Sequence, residues 1–439
     1  MTRGADRALL LALVACVAVA AWTGREPAAG VAMRSACVVA LVVGSGLAAW
    51  AAHRRTWPMR WVLGAAVAMR LLALPMEPAL SDDGYRYLWD GGLTVTGVSP
   101  YAHAPDAPEL DRVRAEPRMA LWGDRLNSPR YHTVYPPVSQ AVFAAAALAP
   151  GAEAPWYVLK GMLVLAELVG VMALSRVLAA SHLAWYALSP VAAIEIAGQG
   201  HTEGLLVGAL GVLWWAVVRR RRGVLGLAVV AAGWAKLYPF ALGALVLRRL
   251  RPVSWLVLAL LAIAVGWPLW VGDGLANLLA SARLYGGTLD FYSAPYLALK
   301  TALYPALAQA AGQAAATALT GVWIVLVALA WWRDDGGLDG ARRLVLAGVA
   351  GYVLLSPMVH PWNLLGALAL APLMRRRWPI VWLVGVAPLT YLRYVGWEGA
   401  YVSATWIGWG GALALWIVSR YRTASHTVSG VALAASTRG

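Results

Sequence analysis

The segment Ser81-Asp82-Asp83-Gly84-Tyr85-Arg86-Tyr87-Leu88-Trp89-Asp90 gathers three carboxylates and an arginine just after an apolar run, in a chain that is only 13% charged. Drawing such an acidic pair into lipid is costly, so Asp82 and Asp83 belong in water at a membrane surface or in a polar cavity. One carboxylate there can act as general base towards an attacking hydroxyl, and Asp82 is the expected base. Its neighbour raises the proton affinity of the pair, so the two titrate as a unit, and Arg86 is near enough in sequence to hold at least one ionised. The pair could instead ligate a divalent metal, although two carboxylates alone make a thin site. No cofactor is otherwise called for. At its plainest the stretch is a solvated helix start with an aspartate cap.

Further chemistry-bearing side chains stand far along the chain. His201 and Glu203 lie in Gly200-His201-Thr202-Glu203, Lys236 in Lys236-Leu237-Tyr238-Pro239, and His360 in His360-Pro361-Trp362; Arg393 and Glu398 follow. Lysine, arginine and histidine can stabilise charge on a departing phosphate, which makes Lys236, Arg86, His360 and Arg393 the expected phosphate binders. Lysine is rare here, three against 33 arginines, so its retention at position 236 carries weight. Glu167 and Glu195 fall within apolar segments and are open between helix-packing glue and site residues.

The elements that must position these residues are membrane helices. With 61% hydrophobic residues, a mean hydropathy of +0.64 and apolar runs of roughly 15 to 25 residues throughout, the sequence predicts an all-α polytopic membrane protein. The net charge of +15 sits in short arginine runs between apolar segments. That is the pattern of cytoplasmic loops against anionic lipid, so the bilayer is the expected partner and nucleic acid is not. Cys16 and Cys37 lie in apolar segments without metal-ligand spacing.

Spans are expected at about 8–22, 31–52 and 61–74, with His53-Arg54-Arg55 inside, so that 75–135 becomes a long outside loop. Two short helices on the outer leaflet, 82–93 and 108–122, are expected within it, since long loops without their own structure are uncommon unless functional. Spans at 138–148, 157–174 and 204–218 follow, the last ending in Arg219-Arg220-Arg221-Arg222. An odd number of crossings is needed between that run and the outside loop, which marks 183–198, with Pro190, as broken or re-entrant. Arg222 and Arg248 both belong inside, so two half-length helices hinged at 233–239 are expected to bury Lys236 at membrane depth. Spans at 253–270, 314–332, 344–355, 363–374, 380–391 and 402–419 complete a single domain over 1–422. The polar tail 423–439 is expected to be disordered and cytoplasmic.

The motifs at 81–87, Gly97-Val98-Ser99-Pro100-Tyr101, Tyr135-Pro136-Pro137, 200–203, 236–239 and 360–362 together resemble the GT-C superfamily of membrane glycosyltransferases, and within it the bacterial polyprenol-phosphate-mannose-dependent mannosyltransferases. The resemblance implies a GT-C-like bundle of about 11 to 14 transmembrane helices in the cytoplasmic membrane, its active site facing the periplasm or exterior. It also implies inverting transfer of a sugar, mannose on this resemblance, from a polyprenyl-phosphate donor to a glycolipid, glycan or protein acceptor. One loop aspartate is the base, the lipid phosphate leaves, and Tyr85, Asp90, Tyr101, Tyr135, His201, Glu203 and Tyr238 line the substrate. In that family the acidic motif follows the first span, whereas here it follows the third. The competing reading, a transporter or flippase of lipid-linked sugars, would favour repeated halves with paired broken segments. The chain has broken segments near Pro190 and Pro239 but no matching halves.

Overall fold

In the computed structural model, which describes residues 3–24, 30–287 and 289–436, the chain is all-α, and among the described residues no strand forms beyond an isolated bridge between Phe291 and Met358. Five stretches of helix among the described residues are long and apolar enough to cross a bilayer: Gly4–Thr23, Val31–Arg54, Ala154–Ser175, Ala294–Trp332 and Ala400–Arg420. Shorter apolar helices fill the space between them. This is a membrane protein by length and composition of its helices.

The first elements are α1 (Arg3–Thr23), α2 (Val31–Arg54), α3 (Met59–Ala73) and α4 (Asp83–Val95). Proline opens the next two, α5 (Pro137–Ala147) and α6 (Ala154–Ser175), at the first turn where a missing N–H costs nothing. They lead to α7 (Ala180–Ala187), α8 (Glu203–Val218), α9 (Arg222–Ala235) and α10 (Gly243–Arg249). Helices α6 and α8 are in backbone contact: a Cβ on Gly211 would stand 2.3 Å from the Gly170 carbonyl, and one on Gly208 2.4 Å from that of Ala166. Small residues that admit such approach are what membrane helices use where lipid offers no hydrophobic drive.

The bundle has two chemically distinct ends. At the arginine end Arg55 pairs with Asp6 at 3.3 Å, Arg249 with Asp334 at 2.6 Å, and Arg219 donates to the Arg176 carbonyl. His53 packs edge-on against Trp185 and Trp378 there. The acidic stretch lies at the opposite end.

That polarity relocates the helix that does not cross. Helix α5 has 11 residues, about 16 Å of rise against a hydrocarbon core of about 30 Å. Its last carbonyl, on Ala147, accepts from Arg118 of the segment between α4 and α5, and near its start Gln140 donates to Asp90 of α4. Both its termini therefore stay at the acidic end. The segment 183–198, expected to be the re-entrant piece, instead runs from Trp185 at the arginine end to Gln199, which accepts from the Leu80 amide at the acidic end. It is broken as expected: α7 stops before Pro190, Ser189 caps the Ala192 amide, and a π-helical turn covers Ile194–Gly198.

Two further differences concern exposure and order. Residues 84–93 of α4 are buried all round rather than spread on a leaflet, with Tyr85, Tyr87 and Trp89 enclosed on different sides of the helix. A Cβ on Gly91 would lie 2.3 Å from the Phe143 carbonyl of α5. The second expected loop helix, 108–122, breaks into a 3-10 turn and two short helices, Asp111–Arg114 and Pro117–Gly123. At the other end of the chain, α11 (Pro252–Val265), α12 (Gly274–Gly287), α13 (Ala294–Leu307), α14 (Ala311–Trp332), α15 (Leu338–Val345), α16 (Leu364–Ala369), α17 (Trp378–Val386) and α18 (Ala400–Ser436) complete the fold. Helix α18 continues to Ser436 across most of the tail expected to be disordered; its alanine-rich final turns favour helix. Residues 437–439 lie outside the described residues.

Candidate functional site

The head of α4 lies at the acidic end. Asp82 precedes the first turn with its side chain exposed and caps no amide, and Asp83 is half-buried. Desolvation first, and the Asp83 charge second, hold the Asp82 carboxyl above its usual range, against an opposing pull from Arg34. The buried Tyr87 hydroxyl feels both Asp83 and Glu203: burial, then Tyr135 and these two carboxylates, push it well above its ordinary value. On the other flank the raised pKa of Tyr394 reflects burial and the charges of Asp83 and Asp82, opposed by Arg393. Asp83 therefore shares Tyr87 with Glu203, and both aspartates share Tyr394 with Arg393.

Behind them lies a buried polar cluster. Glu203, at the start of α8, holds Lys236 at 2.8 Å. Lys236 stands at the hinge expected between α9 and the turn Tyr238–Leu242, in extended backbone and with a fifth of its side chain exposed. Asn363 donates to Glu203 at 3.4 Å and accepts from the His360 amide at 2.9 Å. His201 lies 3.3 Å from Glu195, whose other oxygen accepts from Tyr391 at 2.7 Å. Several buried atoms here have no hydrogen-bond partner: His201 Nδ1, Thr202 Oγ1, Glu203 Oε2 and His360 Nδ1, while Glu195 Oε2 and His201 Nε2 have only each other, out of hydrogen-bond alignment. Polar atoms so rarely go unpaired in a folded interior that this group marks a place suited to a polar ligand or to water.

A column of stacked rings ties the cluster to the late part of the chain. His201 stacks on Trp362 at 3.9 Å, Trp362 on His360 at 4.3 Å, His360 on Phe291 at 4.2 Å and Phe291 on Tyr401 at 5.2 Å. Arg393 caps the column 5.8 Å from the Tyr401 ring. Phe291 is pinned by its two backbone bonds to Pro357 and Val359, next to Tyr292 at φ 50°, a conformation costly for any residue but glycine. Tyr401 donates to Asp290, which also pairs with Lys300 at 2.7 Å. Burial, with His201 and Lys236 close by, pushes His360 down to about 3, so its imidazole is neutral at pH 7.

The remaining sequence-selected residues sit around this core. Arg86 is buried, paired with Asp90 at 2.8 Å and donating to the Tyr131 carbonyl; its Nη2 has no partner. Asp90 also accepts from Gln140. Tyr85 accepts from Arg125 at 2.7 Å, Tyr101 donates to the Tyr135 carbonyl, and Tyr135 packs edge-on against Tyr87 at 4.8 Å. Tyr238, two residues after Lys236, stacks on Tyr352 at 4.1 Å. Glu167 lies elsewhere, fully buried in a bidentate pair with Arg70 that Tyr186 completes, so it holds helices together.

Phe291, Tyr401, Asn363 and Asp290 carried no sequence signal of their own. Lysine scarcity, which singled out Lys236, would equally have found Lys160 and Lys300. Among the described residues no group of three or more His, Cys, Asp or Glu could hold a metal ion. Comparison with protein-family models, with curated proteins and with solved structures returns no match.

Proposed function

We propose that this chain is a GT-C-type glycosyltransferase of the cytoplasmic membrane, transferring a sugar, mannose in this reading, from polyprenyl phosphate to an acceptor outside. The observation that carries the reading is the gathering, at one bundle end, of the accessible carboxylates Asp82 and Asp83, the cations Lys236 and Arg393, and a set of buried polar atoms without hydrogen-bond partners. The opposite, arginine-rich end is the cytoplasmic one in this reading, by the positive-inside bias. A lipid-linked phosphate sugar needs this combination: reactive groups at the rim and an apolar scaffold for the tail.

The step is an inverting displacement. The acceptor hydroxyl gives its proton to Asp82 while its oxygen bonds the anomeric carbon, and the bond from that carbon to the phosphate oxygen breaks with its electron pair. In this reading Lys236 and Arg393 stabilise charge on the leaving phosphate, and neutral His360 donates a hydrogen bond. The acceptor is a glycolipid, a glycan or a protein.

The test is a proteoliposome assay with polyprenyl-phosphate mannose, radiolabelled in the sugar, and a panel of lipid, glycan and peptide acceptors. Labelled product with inverted linkage supports the reading. Label that crosses the bilayer still attached to its lipid, with no product from any acceptor, would replace it with the transporter reading. A cysteine at Asp106, exposed in the acidic-end loop, should react with an impermeant thiol reagent in intact or outer-membrane-permeabilised cells.

A further inference from the structure

The acidic stretch and the Gly200-His201-Thr202-Glu203 motif are separated by more than a hundred residues, yet one helix grips both. Lys160 of α6 is fully buried and donates to the carbonyls of Leu74 and Met76, where α3 ends. An ammonium suits that place, since the last carbonyls of a helix lack partners and carry the negative end of its dipole. The rings of Trp156 and Tyr157 lie 5.0 Å from its nitrogen. Trp156 also donates to Met76, and its ring edge fills the space beside two glycines: a Cβ would come within 2.4 Å of it at Gly84 and 2.8 Å at Gly200. Gly200 has φ 74°, so glycine is required there on backbone grounds as well. Gln199 closes the bracket, accepting from the Leu80 amide at 2.8 Å and donating to the Glu77 carbonyl at 3.4 Å.

We infer that Lys160 and Gln199 are positioning residues: they fix the strand of chain that carries Asp82 and Asp83 against the one that carries His201 and Glu203. The inference rests on the proposed transferase reading for its activity readout only. Neither side chain touches the reacting groups. Their bonds end on backbone atoms of 74–80, so their loss frees that crossing and lets the acidic pair drift from the cations. A misplacement of about 1 Å between reacting groups costs on the order of a hundredfold in rate.

The experiment uses the full chain in detergent or nanodiscs, with Gln199→Leu, Lys160→Met and Lys160→Arg. Hydrogen exchange followed by mass spectrometry reads the amides of 77–83, with 203–218 as internal control. Gln199→Leu and Lys160→Met should exchange faster over 77–83 and not over 203–218. Their kcat should fall on the order of a hundredfold with the KM for donor within about twofold, and Lys160→Arg, which still offers donors to both carbonyls, should keep native behaviour. Unchanged exchange over 77–83 in Gln199→Leu overturns the inference, as does faster exchange with native kcat. If the native chain transfers no sugar, the transferase reading fails and the exchange result alone decides the bracket.

Discussion

Replacing Asp82 by asparagine separates chemistry from folding. The side chain is exposed and caps no amide of α4, so its removal should change stability by less than about 0.5 kcal/mol, as for surface sites generally. The sign can be worked from its titration. Desolvation and Asp83 raise its pKa in the folded state, so its contribution to stability is fully present below the unfolded value and is lost as pH rises through the folded one. Asparagine removes that loss, and the variant should be no less stable than the native chain at pH 7. Activity behaves oppositely. A positioned general base contributes about 10² to 10⁴ in rate, equivalent to about 3 to 5 kcal/mol of barrier. The assay pairs kcat for mannose transfer in proteoliposomes with thermal unfolding in detergent, and adds the pH dependence of the native rate. The acid limb should fall above the usual aspartate range. Asp83→Asn is the control: as a first-turn acid it should cost about 0.3 to 1 kcal/mol of stability through the helix dipole. If Asp82→Asn keeps the native rate and Asp83→Asn loses it, the base is Asp83; native rates in both would refute catalysis by this pair altogether.

Glu167→Gln should strand the buried Arg70 charge and cost about 3 to 5 kcal/mol in thermal or denaturant unfolding, while Arg70→Met with Glu167→Leu recovers most of it; a cost under about 1 kcal/mol for the single variant would contradict the pairing described. Lys236→Met should lower kcat by at least about tenfold and, by leaving Glu203 buried without its partner, should also lose stability that Glu203→Gln restores. Native turnover in the folded double variant would reduce Lys236 to a structural partner of Glu203. At the arginine end burial opposes ionisation of Asp334, but the Arg249 bonds, the Gly336 amide and the nearby Arg248 together hold its carboxyl below the usual range. Its stabilising effect is therefore present above the unfolded pKa and lost as pH falls through the folded one. Asp334→Asn should cost about 1.5 to 3 kcal/mol at pH 7, with the gap to the native chain closing at acid pH; a gap independent of pH would refute this.

Part of the helix map was legible because proline starts and arginine stops are local signals: Pro137 opens α5, and the runs at 219–222 and 248–251 mark the ends of α8 and α10. The break at Pro190 and the hinge before Lys236 were readable from charge parity. What failed was assigning the parity defect, since an eleven-residue apolar helix after a proline looks like half a span, and only its contacts with Arg118 and Asp90 show that α5 turns back. The convergence of Asp83, Glu203, Lys236 and His360 could be anticipated from which side each loop faces. The stacking column could not, because Phe291 and Tyr401 are single aromatics in a chain rich in tryptophan and tyrosine, with no spacing to distinguish them. Nor could the Arg70 and Glu167 pair, whose partners are 97 positions apart.

The column of rings also sets a schedule. Its members arrive at positions 201, 291, 360, 362 and 401, while Asp82 and Asp83 are made much earlier. As the chain emerges and inserts from its N-terminus, α4, α5 and the bracket from α6 can assemble early from contiguous sequence. The groups opposite them are supplied only by the last helices, with Arg393 and Tyr401 among the final arrivals. A chain halted after α8 and before position 291 would carry the acidic stretch and His201 without the rings that stack beyond it. The column is thereby completed only once Tyr401, the last of its rings, has been made.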